Sequence, residues 1–446
     1  MSRNTARLST LLLAFATPAL APALAPAFAA APLPYHSEPM AGLSDQDMLD
    51  HAIGQAVFER LWVEAPSSTK SADGLGPLYN ARSCAACHPG GGRGELPDPA
   101  KPGDQGVGVA LRLGSTGSVG DPAYGRQLQV QAVTGQSAEG LLSVTSHTVR
   151  RVNLPGGTTV RLRRLDVQPV TLAFGPLAPT THTSVRVAPP VLGAGLLERI
   201  PEADILAAAD PDDRNGDGIS GRPNRDATGA LGRFGWKATN ATLAAQNAEA
   251  AMLDLGLSTA LFPAPWGDCT EAQAACRAAP HGNQARFEGV EIPSSMMGVL
   301  NRYMGHTQAP GATPPDGPGG RLFAETGCAA CHRPAFTTGD DPAGPALSRQ
   351  AVFPYTDLLL HDLGPELGDG LAAGDAAGSD WRTPPLWGLH RLKAHDGKLA
   401  LLHDGRARSV AEAILWHGGE ADSARTRFAA LSKADRDRLI RFVLSL

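Results

Sequence analysis

Two short runs constrain this chain more than anything else in it. Ser83-Cys84-Ala85-Ala86-Cys87-His88 and Gly327-Cys328-Ala329-Ala330-Cys331-His332 both read C-x-x-C-H. That spacing is the attachment signature of a c-type haem: two thiols add across the porphyrin vinyl groups, and the adjoining imidazole reaches the iron as proximal ligand. A zinc knuckle would need four N/S ligands gathered in one cluster, and a redox dithiol has no use for the trailing His in both copies. The chain is therefore expected to fold around two covalently bound haem c groups, with Cys84, Cys87, Cys328 and Cys331 as attachment points and His88 and His332 as iron ligands.

The other two cysteines, Cys269 and Cys276, have six residues between them in a Pro/Ala-rich stretch and are read as a disulfide, with reactive thiols as the alternative. A disulfide implies an oxidising compartment, and the N-terminus agrees. Arg3 and Arg7 precede an apolar stretch from Leu8 to Leu24, and Ala27-Phe28-Ala29 is an A-x-A cleavage site. Residues 1–29 are expected to be a signal peptide and the mature protein periplasmic. Pro18, Pro22 and Pro26 interrupt the run, and no later stretch is apolar enough to span a bilayer. The net charge is −5 and there is no basic run, which argues against nucleic acid as a partner.

The chain holds 51 Gly and 37 Pro, which together predict a loop-rich protein. Residues 30–104 are read as an N-terminal haem segment. Ser44 is an N-cap for a helix over 44–63, where Met48, Leu49, Ile53, Val57 and Leu61 recur at helical spacing. Residues 105–190 alternate apolar and polar side chains at period two, around Val107, Gln127 and Thr159, and are read as a β-rich insertion. Residues 191–310 are expected to be mixed and mainly helical, completing the N-terminal half. A Pro/Gly-rich linker then leads to a C-terminal haem domain over 311–446, with Ser409-x-x-Glu412 and Ser432-x-x-Asp435 opening its last helices. The expected fold class is mainly α with a β-rich insertion, built on two cytochrome c-like haem domains. A polar loop at 210–221 carries Asp213, Asn215 and Asp217 before Gly218, the spacing of the first half of an EF-hand-type Ca²⁺ loop; Asn224 stands where that loop has its bidentate Glu. A simple Asp/Gly turn is the alternative.

The runs Trp381–Trp387, Leu402–Arg406 and Ala411–Gly418 resemble the C-terminal part of bacterial di-haem cytochrome c peroxidases and of the related maturation enzyme of methylamine dehydrogenase. With Gly76–Cys84, Gly195–Pro201, Gly232–Lys237 and Tyr355–Gly364, they make the chain similar to the di-haem oxidoreductase (peroxidase) family over nearly its whole length. The resemblance implies several residue roles. His417 falls where the relatives carry the second axial ligand of the C-terminal haem, and no Met occurs after Met304 to compete. Bis-His ligation by His332 and His417 lowers the haem potential relative to His/Met; a second-shell His is the alternative. Trp236 corresponds to a Trp that bridges the haems, with Trp62, Trp381, Trp387 and Trp416 as competitors. Arg382 suits a haem propionate. His361 either faces a haem or is a hydrogen-bonded core histidine. The relatives use a Glu as the base that a peroxidase needs at its open haem, but the motif around it is not recognisable in this chain; Glu198, ahead of Glu95 and Glu139, is the candidate from the sequence, with a solvated helix residue as the alternative.

Three functions follow as expectations. One is a periplasmic peroxidase that reduces hydrogen peroxide with electrons from a small cytochrome or copper protein. The second is an electron carrier with both irons six-coordinate. The third is a long-range oxidant that modifies residues on a partner protein.

Overall fold

The N-terminal C-x-x-C-H run lies against a crossing of two helices. Asp45–Glu59 starts at Ser44, whose hydroxyl accepts from Asp47 N, as the sequence predicts. It buries Gly54, Val57 and Phe58 against Ser294–His306. The approach is close: a Cβ on Gly54 would stand 2.1 Å from Val299 O, so only glycine allows the two backbones to meet there. Leu300, Tyr303 and Met304 meet Phe58 in this core, which Ala194–Glu198 and Leu243 complete. This computed structural model describes residues 37–98, 101, 103–115, 119–311, 313–341, 344–396 and 399–446, without the side chains of 393–396. Residues 1–29, the expected signal peptide, lie outside the described residues.

The expectation of a mainly α protein with two cytochrome c-like haem domains is overturned. The described residues are 28% helix and 19% strand, which is not a mainly α protein, and no cytochrome c-like haem domain is evident among them. The reason lies in the segments between the helices. After the second C-x-x-C-H run the backbone continues as turns and strands of two or three residues, such as Phe336–Thr337, Leu360–Asp362 and Asp380–Arg382, and after the first it enters a strand-rich segment. Most of the strand content sits in 105–190. Val109–Gly114 pairs antiparallel with His182–Val187, while Leu141–Leu154 and Thr158–Val170 form a long hairpin closed by Pro155-Gly156-Gly157. Both turn glycines have positive φ, 82° and 79°, which suits the tight reversal. The strand expected near Gln127 shrinks to Gln131–Ala132.

That hairpin joins two cores. Near its base Leu142 sits with Leu111, Leu113 and Tyr124. Past a register shift at Thr148/Arg150, Leu154 and Leu162 enter the C-terminal core beside Trp416 and Leu439. Leu162 is fully buried, so its truncation to Ala costs about 2–5 kcal/mol.

In the C-terminal third, Gly317–Glu325 packs on Lys433–Val443. Phe323 and Phe442 meet edge-on at 5.6 Å there. Ser409 and Ser432 cap their helices as predicted, accepting from Glu412 N and Asp435 N. Glu412 does not complete a capping box, however, because its carboxylate is taken by the hairpin. Residues 191–310 hold five α-helices, the first two only three residues apart and the others separated by long loops. Among the described residues no helix is long and apolar enough to cross a membrane.

Candidate functional site

Both C-x-x-C-H runs open onto internal cavities. The first, about 430 Å³, is lined by Cys84, Cys87 and His88. Ser83 caps the turn Cys84–Cys87 by accepting from Ala86 N at 3.1 Å, and His88 N donates to Cys84 O at 3.0 Å. This single helical turn puts both thiols and the imidazole against one cavity. The opposite strand comes very near. Gly108, at φ 59°, would place a Cβ 2.5 Å from Cys87 O. The second cavity, about 200 Å³, is lined by Cys328, Cys331, His332 and His417. Here Gly327, at φ 89°, precedes the turn Cys328–Ala330, and His332 N donates to Cys328 O at 2.9 Å.

Each of the three histidines is oriented in the same way. His88 Nδ1 lies 2.9 Å from Pro189 O, His332 Nδ1 3.0 Å from Tyr355 O, and His417 Nδ1 2.7 Å from Ala413 O. A carbonyl only accepts, so the proton belongs on Nδ1 and the Nε2 lone pair is left for another partner. Metal-bound histidines are fixed in this way, with the second nitrogen donating to a carbonyl or carboxylate. Burial pushes His332 down to about 4, and the neighbouring His417 acts in the same direction. Burial also lowers His88 and His417. All three are neutral near pH 7, the ligand form. Burial likewise raises Cys84 and Cys328 to about 12, so the cysteines are thiols rather than nucleophilic thiolates. Among the described residues no group of three or more His, Cys, Asp or Glu is placed to hold a bare metal ion. An iron already held by a porphyrin needs only the one or two imidazoles found here.

Trp236, Arg382, Arg93 and Trp387 line both cavities and so separate them. Trp236 donates from Nε1 to Val187 O at 3.1 Å, and the Arg93 guanidinium stands 5.5 Å from its ring centroid. Arg382 donates from Nε to Gly235 O at 2.8 Å; burial lowers its pKa to about 10 and Asp357 opposes the shift, leaving it cationic. An Arg at that position complements an anionic propionate from either side. Behind it, Trp381 and His403 stack at 3.7 Å.

The remaining sequence candidates are placed as follows. His361 borders the second cavity, but Asp357 takes its Nε2 at 2.8 Å and Glu420 its Nδ1 at 2.6 Å. It is a core histidine beside a haem motif, 3.6 Å from Cys331 Sγ, and has no nitrogen left for iron. Glu198 does not line the first cavity. Its carboxylate accepts from Leu243 N at 2.8 Å, at the start of helix Leu243–Leu255, and pairs with Arg199 at 3.1 Å. Asp213, Asn215 and Asp217 lie on an exposed loop, where Asp213 and Asp217 accept from the backbone of Gly218 and Ile219. Cys269 and Cys276 are joined as a disulfide, Cα–Cα 6.3 Å.

Three residues that line the first cavity were missed from sequence: Asp254, Glu249 and Arg112. Burial raises the Asp254 pKa, and Arg112 and Gln127 only partly offset it. Burial works against the charge of Glu249 too, but Arg112, Asn240 and Arg126 outweigh it and hold that carboxyl low. Two carboxyls pushed apart in one cavity are a signature of acid–base work. The only local signal was their position on one helix, Leu243–Leu255, with a spacing that does not single them out.

The model of the family described as "di-haem oxidoreductase, putative peroxidase" matches residues 28–112 and 179–446. No curated protein and no solved structure matches the chain. Both cysteine motifs, His417, Trp236, Arg382 and Asp254 fall inside the matched segments, and the unmatched 113–178 contains the long hairpin. A match over this much of the sequence decides the matter: the chain belongs to the di-haem oxidoreductase, putative peroxidase family, and its cofactors are haems.

Proposed function

We propose that the protein is a periplasmic peroxidase, with a haem c attached covalently at each C-x-x-C-H run, reducing hydrogen peroxide to water with electrons from a small cytochrome or copper protein. The observation that carries this reading is the difference between the two cavities. Of the four histidines that line the smaller, His332 and His417 have Nδ1 on a backbone carbonyl and so leave Nε2 for iron, and the lining is largely apolar. The larger presents one imidazole, His88, and a polar wall containing Arg112, Gln127, Glu249 and Asp254. One site is therefore suited to holding and passing electrons, the other to admitting a small polar oxidant.

Haem supplies the iron at which the peroxide O–O bond breaks, and two electrons and two protons complete the conversion to two waters. The protein's share is positioning and proton handling. Asp254, whose pKa burial raises, is the carboxyl in the His88 cavity suited to exchanging a proton with bound peroxide, while Arg112 favours the charged form of Glu249. Trp236 and Arg382 line both cavities, on the path that electrons would take from a haem in the second to a haem in the first. The signal sequence and the disulfide support export.

One observation favours an electron carrier instead. Met304 also lines the first cavity, and a thioether on the His88 iron would close that site. The two readings separate by titrating the matured protein with peroxide while following absorption and electron paramagnetic resonance. A high-spin component that reacts with peroxide is expected. Two low-spin haems that ignore peroxide, becoming reactive on Met304→Leu, would establish the carrier.

A further inference from the structure

The hairpin Leu141–Leu154/Thr158–Val170 lies outside the family match, yet it grips the helix that ends at His417. We propose that Arg163 is a positioning residue for the second haem site, holding His417 in ligating position through Glu412; this rests on the reading of His417 as an iron ligand.

The contact is built rather than incidental. Arg163 donates to Glu412 from its backbone N at 2.9 Å, from Nε at 3.2 Å and from Nη2 at 2.6 Å, so a guanidinium fork and a main-chain amide converge on one carboxylate. The second oxygen also accepts from Arg408 N at 2.9 Å. Side-chain exposure is 4% for Glu412 and 15% for Arg163, so solvent screens the pair little. Arg163 Nη2 further reaches Arg406 O at 3.2 Å, tying in the loop before the helix.

That helix, Val410–Trp416, is only seven residues long. A helix of two turns has almost no stability of its own and stays formed because its neighbours hold it. Glu412 adjoins Ala413, whose carbonyl fixes the His417 imidazole at 2.7 Å, and His417 itself has already left the helix, at φ −58° and ψ 135°. A shift of the helix is therefore a shift of the imidazole. Removing Arg163 leaves a buried carboxylate without its counter-charge, which drives the helix to move or to admit water.

The test uses the matured di-haem protein carrying Arg163→Ala, Arg163→Lys and Glu412→Gln. Low-spin electron paramagnetic resonance and the midpoint potential of the second haem are read beside the melting temperature. Arg163→Ala is expected to lose part of the low-spin signal of the second haem, to shift its potential, and to recover the signal on addition of imidazole. Arg163→Lys keeps the charge but not the fork and should fall between. A folded Arg163→Ala with unchanged ligation and potential, and only a lower melting temperature, overturns the proposal. If Arg163→Ala does not fold, unchanged ligation in both Arg163→Lys and Glu412→Gln overturns it equally. A low-spin signal that survives His417→Ala instead overturns the ligand assignment, and the clamp falls with it.

Discussion

His361 Nδ1 stands 2.6 Å from Glu420 Oε2. With Asp357 on Nε2, the imidazole is bracketed by two carboxylates and raised to about 12, although burial alone would lower it. Glu420 is held down to about 2 against its own burial by His361 and Ser220. The raised imidazole contributes stability fully below its unfolded value of 6.5 and loses it as pH climbs toward 12. The depressed carboxyl contributes above its unfolded value of 4.5 and loses it as pH falls toward 2. The charged imidazole pairs with Asp357 and with Glu420, so the contribution of the cluster peaks between pH 4.5 and 6.5. His361→Gln should cost about 3 kcal/mol at pH 5.5 and less at pH 9. Denaturant unfolding of both proteins at the two values checks this; a pH-independent difference would show that the imidazole is neutral.

His417→Met should raise the potential of the second haem, by on the order of 0.1 V, because a thioether stabilises ferrous iron relative to an imidazole. A redox titration followed at the Soret band measures it. No shift would mean that His417 does not touch that iron.

Asp254→Asn should lower peroxide turnover by about 100-fold or more while both haem spectra stay intact, since amide cannot carry the proton. Glu198→Gln is the matched control. It sits at the start of helix Leu243–Leu255, so about 1 kcal/mol of stability is expected to go with turnover unchanged. If the two variants exchange these outcomes, Glu198 is the base after all.

Gly108→Ala should hinder loading of the first haem only. Its Cβ would meet Cys87 O at 2.5 Å from a backbone with φ 59°, a strain of about 1–3 kcal/mol. The haem content of purified protein, resolved by peptide mass, reads it: a deficit confined to the Cys84/Cys87 peptide is expected, and full loading of both would show that the strand can move away.

Local spacing determined what local spacing can determine. The cysteine pairs with their trailing histidines, the Ser44, Ser409 and Ser432 caps, and the short Cys269–Cys276 loop each involve groups a few residues apart, whose geometry one turn of chain dictates. Tertiary structure decided the rest, because those relations join distant positions. Asp254 reaches the His88 cavity across more than half of the N-terminal half of the chain, and Glu412 gave up its capping box for a guanidinium on a strand far upstream. Glu198 became a helix-start acceptor rather than a base, and His361 found both of its carboxylates by folding. The fold class itself went the same way. Loops rich in Gly and Pro and the paired strands of 105–190 make up more of the described residues than the helices whose periodicity was legible, and the pairing of those strands joins distant positions.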